Sequence, residues 1–168
     1  SPANVSYTPP QIQLDTSNQF EAVLTTARGV IRIELFGEAA PATVGNFIYL
    51  ASCGFYDNIT FHRVIEDLAA QTGDPTGTGR GGPGYFIADE FAGLSHDKPG
   101  VVSMVSSGDN SGGSQFFITR SPAPWLDELN PIFGQVIEGM DVVNALQVRD
   151  PLASSDPGDL LESIDIVQ

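Results

Sequence analysis

The 168-residue chain has a single cysteine, Cys53, so no disulfide can form within it and no cysteine-based metal site can be assembled. Its two histidines, His62 and His96, are isolated and read as structural or surface residues, so neither a metal nor a cofactor is expected. Cations are scarce as well: seven Lys and Arg stand against 21 Asp and Glu, a net charge of -14. Nucleic acid and anionic lipid are held through phosphate contacts that need Lys and Arg, which excludes both as main partners. No apolar run approaches the roughly 18 residues of a membrane span. The acidic balance reads first as a solubility device, with basic protein clients as the alternative.

What is present suits one domain, because 41% apolar residues in a chain of this length can fill a single core. Residues 1–19, rich in Pro, Ser and Asn and lacking an initiating Met, read as an N-terminal extension or tether; residues 20–168 read as the domain. The start fits a tether left after removal of a leader or anchor, which leans toward an extracytoplasmic location, and it fits an expression boundary equally well. The compartment stays open. "EAVLTT" and "GVIRIELF" alternate as two strands, with Ile31, Ile33 and Leu35 on one face. "PATVGNFIYLASCG" changes to helical period, with Pro41 in the first turn and Gly54 at the stop. "ITFHRVIE", "LAAQTG", "GVVSMV", "SQFFIT" and "PIFGQVI" are further strands; "GMDVVNAL" is a short helix and "LESIDIVQ" a closing strand. Many strands and two helices point to a barrel or sandwich.

The stretch "GDPTGTGRGGPGY" carries Gly77, Gly79 and Gly82 at the G-x-G-x-x-G spacing of a dinucleotide-binding turn. That turn must open a helix whose amides face the pyrophosphate, and Pro83-Gly84 would break it. The loop is instead backbone that turns tightly and lies close against something. No nucleophile–base signature is found: Ser114 in "SGGSQFF" lacks the G-x-S-x-G elbow, and the pair Asp89–Glu90 reads as a solvated turn.

The segments "FHRVI", "QTGDPTGTGRGGPGY", "DEF", "KPGVVSM", "GGSQFFIT", "WLD" and "FGQVIEGMDVV" follow one another in the order and spacing of the cyclophilin peptidyl-prolyl isomerases, and the chain resembles that family from about Val23 to Leu146. The resemblance implies an eight-stranded antiparallel closed β-barrel capped by two α-helices. It also implies that the protein speeds rotation about X-Pro bonds in the proline-containing segments of its clients, as a monomer and without cofactor. By position Arg63 resembles the catalytic donor, and Gln71 the glutamine that orients it. Leu68, Ala69, Phe117 and Leu126 resemble the walls of the proline pocket, while Val105, Ser106, Gln115 and Asn130 line the adjoining groove. Trp125 matches the groove tryptophan contacted by cyclosporin, so binding of that cyclic peptide is expected. Two further readings are a non-catalytic module that docks Pro segments and an acidic interaction domain.

The chain departs from the family pattern where Glu66, Asp67, Leu68 and Ala69 replace a run commonly reading Pro-Gly-Phe-Met. Ser106 and Asn130 stand where many members carry Asn and His. Several lost methylenes at about 0.8 kcal/mol each weaken the grip on proline by roughly 1–3 kcal/mol, about 5- to 150-fold. Refilling the pocket with Leu68→Phe and Ala69→Met is therefore predicted to raise kcat/KM on a short X-Pro peptide severalfold. Isomerisation rates measured alongside unfolding midpoints check this; equal or lower activity in an equally stable double variant would refute it.

Overall fold

The computed structural model describes residues 7–10 and 13–168. The chain opens with β1 (Phe20–Thr26) and β2 (Gly29–Leu35), an antiparallel hairpin whose register runs from Phe20↔Leu35 to Thr26↔Gly29. Strict alternation buries Phe20, Ala22, Leu24, Ile31, Ile33 and Leu35 on one face. Helix α1 (Pro41–Ser52) follows, then β3 (Ile59–Thr60), β4 (Arg63–Ile65), β5 (Ala69–Thr72), β6 (Val101–Met104) and β7 (Phe116–Thr119). A single 3-10 turn (Pro124–Leu126), β8 (Ile132–Glu138), α2 (Met140–Ala145) and β9 (Leu160–Val167) complete the order. Both helices fall where the sequence periodicity puts them. No helix among the described residues is long and apolar enough to cross a membrane.

Among the described residues nine strands, not eight, form one antiparallel sheet in the order β3-β9-β1-β2-β8-β6-β7-β5-β4. The extra strand arises because the segment expected as one strand over 59–66 bends at Phe61–His62. Its first half pairs with β9 and its second with β5. The two ends of the sheet thus belong to one bent segment, and counting it once restores eight strands around the barrel. The corner keeps its backbone bonds satisfied: Phe61 N donates to Asp159 O at 2.9 Å, Arg149 Nη1 to His62 O at 2.6 Å, and Thr72 Oγ1 to Thr60 O at 2.8 Å.

The barrel is filled by a cluster in which the rings of Phe47, Tyr56, Phe116 and Phe133 meet at centroid distances of 5.3–6.2 Å. Phe47 comes from α1, whose Val44, Leu50 and Ala51 are also buried over one barrel end. Strands β6 and β7 are buried on both faces. Val102, Met104, Phe116 and Ile118 point into the barrel, and Ser103 and Phe117 alternate outward beneath the covering loops. Ser103 and Phe117 therefore belong to the outer face of the barrel. Of the expected N-terminal extension, residues 1–6 and 11–12 lie outside the described residues. Tyr7 N donates to Pro83 O at 2.8 Å, and its ring meets Phe55 edge-on at 5.1 Å.

Helix α1 begins at Ala40, which has no side-chain cap of its own. Glu90 supplies one from a distant loop: Oε1 accepts from Thr43 N at 2.6 Å and Thr43 Oγ1 at 2.7 Å, and Oε2 accepts from Ala42 N at 3.2 Å. The solvated-turn reading of Glu90 is thereby corrected. Spacing within the chain could not reveal it, since the partner lies 47 residues away. A carboxylate here satisfies orphan amides and opposes the positive end of the helix dipole. Replacing it by Glu90→Ala is expected to cost about 1–2 kcal/mol, seen as a lower midpoint in denaturant unfolding; an unchanged midpoint would show the cap to be idle.

Candidate active site

Antiparallel register assembles the site. Arg63 pairs with Gln71 across β4 and β5, Gln71 with Phe117 across β5 and β7, and Phe117 with Ser103 across β7 and β6. Paired residues project to the same side of a sheet, so a cation, an amide, an aromatic ring and a hydroxyl form one row on the outer face. Arg63 is the exposed end of the row. Its Nη1 donates to Gln71 Oε1 at 3.3 Å, and among the described residues it forms no ion pair.

Beside this row lies a cavity of about 260 Å³. Phe117, Leu126, Leu68, Ala69, Val105, Ser106 and Asn130 line it together with Arg63 and Gln71. Nine of the eleven residues expected from the sequence are thus brought together. Gln115 lines the adjoining cleft instead and accepts a hydrogen bond from Gln71. Trp125 does not line the cavity; it is 63% exposed on the turn next to Leu126. Ile65 lines the cavity without having been anticipated, although the period-2 pattern starting at Arg63 places it on the same face. A larger cleft of about 680 Å³ adjoins at Val105 under the glycine loop, but it lacks apolar walls paired with the Arg63 guanidinium.

The arginine is held by a relay of amides. Gln71, 9% exposed, donates from Nε2 to Gln115 Oε1 at 2.9 Å. Gln115 Nε2 donates in turn to Gly79 O at 3.0 Å and Gly81 O at 2.8 Å. His62, on the far side of Gln71, has Nε2 3.4 Å from Gln71 Nε2. Burial favours the neutral imidazole and lowers its pKa, with Asp74 opposing the shift. A neutral ring can accept from the Gln71 amide, which leaves Oε1 pointing at the guanidinium.

The glycine-rich loop is what the relay ends on, and it winds around a buried carboxylate. Asp74 accepts from Thr76 N (2.8 Å), Thr76 Oγ1 (2.7 Å), Thr78 N (3.1 Å) and Gly79 N (2.6 Å). A Cβ on Gly81 would lie 1.9 Å from Asp74 Oδ1, and one on Gly73, at φ 96°, would lie 2.3 Å from Ser114 O. Close backbone approach demands glycine at these two positions, whereas a Cβ on Gly77, Gly79 or Gly82 would meet nothing nearer than 3.7 Å. Burial alone would raise the Asp74 carboxyl, but the Thr76 hydroxyl and the amides of Gly81, Thr76 and Gly79 outweigh it and hold the pKa below the ordinary 3.8.

The comparisons with known proteins agree with this geometry. The sequence model of the cyclophilin-type peptidyl-prolyl cis-trans isomerases matches residues 22–167. A peptidyl-prolyl cis-trans isomerase-like 1 from Rhizopus delemar is 48% identical over 149 residues, covering 86% of this chain and 88% of that protein. The peptidyl-prolyl cis-trans isomerase ppi1 of Schizosaccharomyces pombe is 44% identical over 149 residues, covering 86% and 96%. A crystal structure of a Cryptosporidium parvum cyclophilin-type isomerase superposes with a TM-score of 0.83 at 34% identity, covering 90% of this chain and 99% of that one. A β-barrel with an arginine beside an outward apolar pocket defines the class, and the chain belongs to the cyclophilin-type peptidyl-prolyl cis-trans isomerase family.

Two carboxyls contribute to the acid stability. The Ser95 hydroxyl and the His96 amide lower the Asp127 pKa from 3.8 to about 2, and Asp74 is lowered as described. A depressed carboxyl stabilises the fold above its ordinary value and loses that contribution as pH falls through its folded value. The unfolding midpoint should therefore drop between about pH 4 and 2. Asp74→Asn should remove about 1–3 kcal/mol at neutral pH and flatten the acid slope. Denaturant melts of both proteins at pH 7 and pH 3 check this; a variant with the slope of the parent contradicts it.

Proposed function

We propose that the cavity between Phe117 and Leu126 takes the proline ring of a peptide and that Arg63 drives rotation of the bond before it. Rotation about an X-Pro amide faces a barrier of about 18–20 kcal/mol from amide resonance and takes tens to hundreds of seconds unaided. No σ bond breaks, so no acid, base or nucleophile is needed. In the twisted amide the prolyl nitrogen regains a lone pair, and a fixed cationic donor aimed at it binds that state better than either planar isomer. The observation that carries this reading is an arginine that has no ion-pair partner among the described residues, is hydrogen-bonded to Gln71 and lines a pocket with Phe117 and Leu126. Arg suits the role because it stays charged and presents a rigid fork of donors.

Ring burial against Phe117, Leu126, Leu68 and Ala69 supplies grip, and the groove from Val105 to Gln115 takes the preceding residues. A related Cryptosporidium parvum structure, 34% identical, was obtained in the presence of the dipeptide Ala-Pro, which supports a proline-containing peptide as ligand here. The exposed indole of Trp125 is offered to larger ligands such as cyclosporin.

Removing the cation tests the assignment. Arg63→Ala is expected to leave the unfolding midpoint within about 0.5 kcal/mol, as for an exposed side chain, and to lower kcat/KM by about 10²–10³. Isomerisation of a short X-Pro peptide measures it, and a variant with nearly full activity rules out the donor role.

A further inference from the structure

Behind the Phe117 wall lies a polar network that the rotation itself does not use. His96 is fully buried, and its ring lies nearly parallel to that of Phe117, with centroids 5.9 Å apart and planes 19° apart. His96 Nδ1 meets Asp127 Oδ1 at 2.7 Å, and Nε2 meets Ser103 Oγ at 3.0 Å. The same Oδ1 accepts from the His96 backbone N at 2.7 Å, while Oδ2 accepts from the Ser95 hydroxyl at 2.5 Å. The Ala123 amide returns a bond to His96 O at 2.7 Å. Ser, His and Asp within reach of one another suggest a hydrolytic triad, but Ser103 is fully buried and donates to Pro131 O at 3.1 Å, so no substrate reaches it.

The placement of Asp127 gives the network a different task. Asp127 directly follows Leu126, which lines the cavity together with Phe117. One carboxylate therefore ties the turn that carries Leu126 to the imidazole that backs Phe117. Without it the ring could pivot about its Cβ, and Phe117 would lose a flat support on its buried side. Buried networks of this kind specify one arrangement because every alternative leaves a donor unpaired.

We propose that Asp127 is a positioning residue of the isomerase, acting through His96 to set the spacing between Phe117 and Leu126. The proposal rests on the reading of this cavity as the prolyl site. Asp127→Asn keeps the geometry, since its amide oxygen can take both His96 bonds and its NH2 can donate to Ser95 Oγ; Asp127→Ala breaks all three.

The test is steady-state isomerisation of a short X-Pro peptide at a temperature where every variant is folded, with Phe117→Ala as control. Asp127→Ala should raise KM about five- to tenfold with kcat within about twofold, and Asp127→Asn should restore KM to within about twofold. A merely structural role would lower the unfolding midpoint and leave both constants unchanged in the folded protein. That result, or an Asn variant as impaired as the Ala variant, overturns the proposal. Should Asp127→Ala fail to fold, Ser95→Ala, which removes only the Oδ2 bond, is expected to raise KM about twofold; an unchanged KM there overturns it too. A neutral Phe117→Ala refutes the prolyl-site reading and the proposal with it, whereas an impaired Phe117→Ala beside a neutral Asp127→Ala refutes the proposal alone.

Discussion

Strand register is the constraint on which the site depends. Arg63, Gln71, Phe117 and Ser103 come from four strands, and only their pairing as direct neighbours puts a cation, its orienting amide and the apolar wall in one row. A slip of one residue in any of these pairings would send a member of the row into the barrel. The barrel core prevents the slip, because Val64, Ala70, Phe116, Ile118 and Val102 are the inward neighbours of the row and are all essentially inaccessible to solvent. The geometry of the row and the packing of the core are therefore enforced by the same alternation. Each apolar residue that fills the barrel also aims a polar or aromatic neighbour outward.

Three carboxylates organise the loops around that row. Asp74 gathers the glycine loop, Glu90 caps α1, and Asp127 joins the turn after β7 to His96. Each accepts several N–H or O–H donors that would otherwise be left unpaired beside a buried surface, and charged acceptors make the stronger of such bonds. The glycine loop illustrates the gain: its carbonyls hold Gln115, Gln115 holds Gln71, and Gln71 holds Arg63. A loop with no catalytic side chain of its own thus helps to fix the orientation of the guanidinium. Much of the remaining acidic surplus lies on the surface, where repulsion between copies favours solubility.

Rotation of a prolyl amide demands little chemistry and much placement. Such a reaction leaves no nucleophile, base or metal-ligand signature in a sequence, because it breaks no σ bond. The histidines show both sides of this. Each is isolated in the sequence, and in the fold each lies fully buried behind a residue of the row, His62 against Gln71 and His96 against Phe117.

Period-2 and period-3.6 patterning, with glycine and proline as stops, was enough to mark the strands and both helices, because those signals are local and depend on side chains alternating between core and solvent. The motif order was enough to name the family and nine of the cavity residues. The bend at Phe61–His62 was not legible, since it comes from one segment pairing with β9 at one end and β5 at the other. Nor were the roles of Asp74, Glu90 and Asp127: a carboxylate's function is set by which donors surround it, and for Glu90 and Asp127 those donors stand some 30 to 50 positions away in the chain. That Ile65 lines the cavity and Trp125 stands exposed beside it was not legible for the same reason, as exposure and cavity lining follow from how a turn or a short strand sits on its neighbours. Local periodicity thus determined the elements and the order of the motifs the family, and only the packing of those elements decided which polar groups would meet.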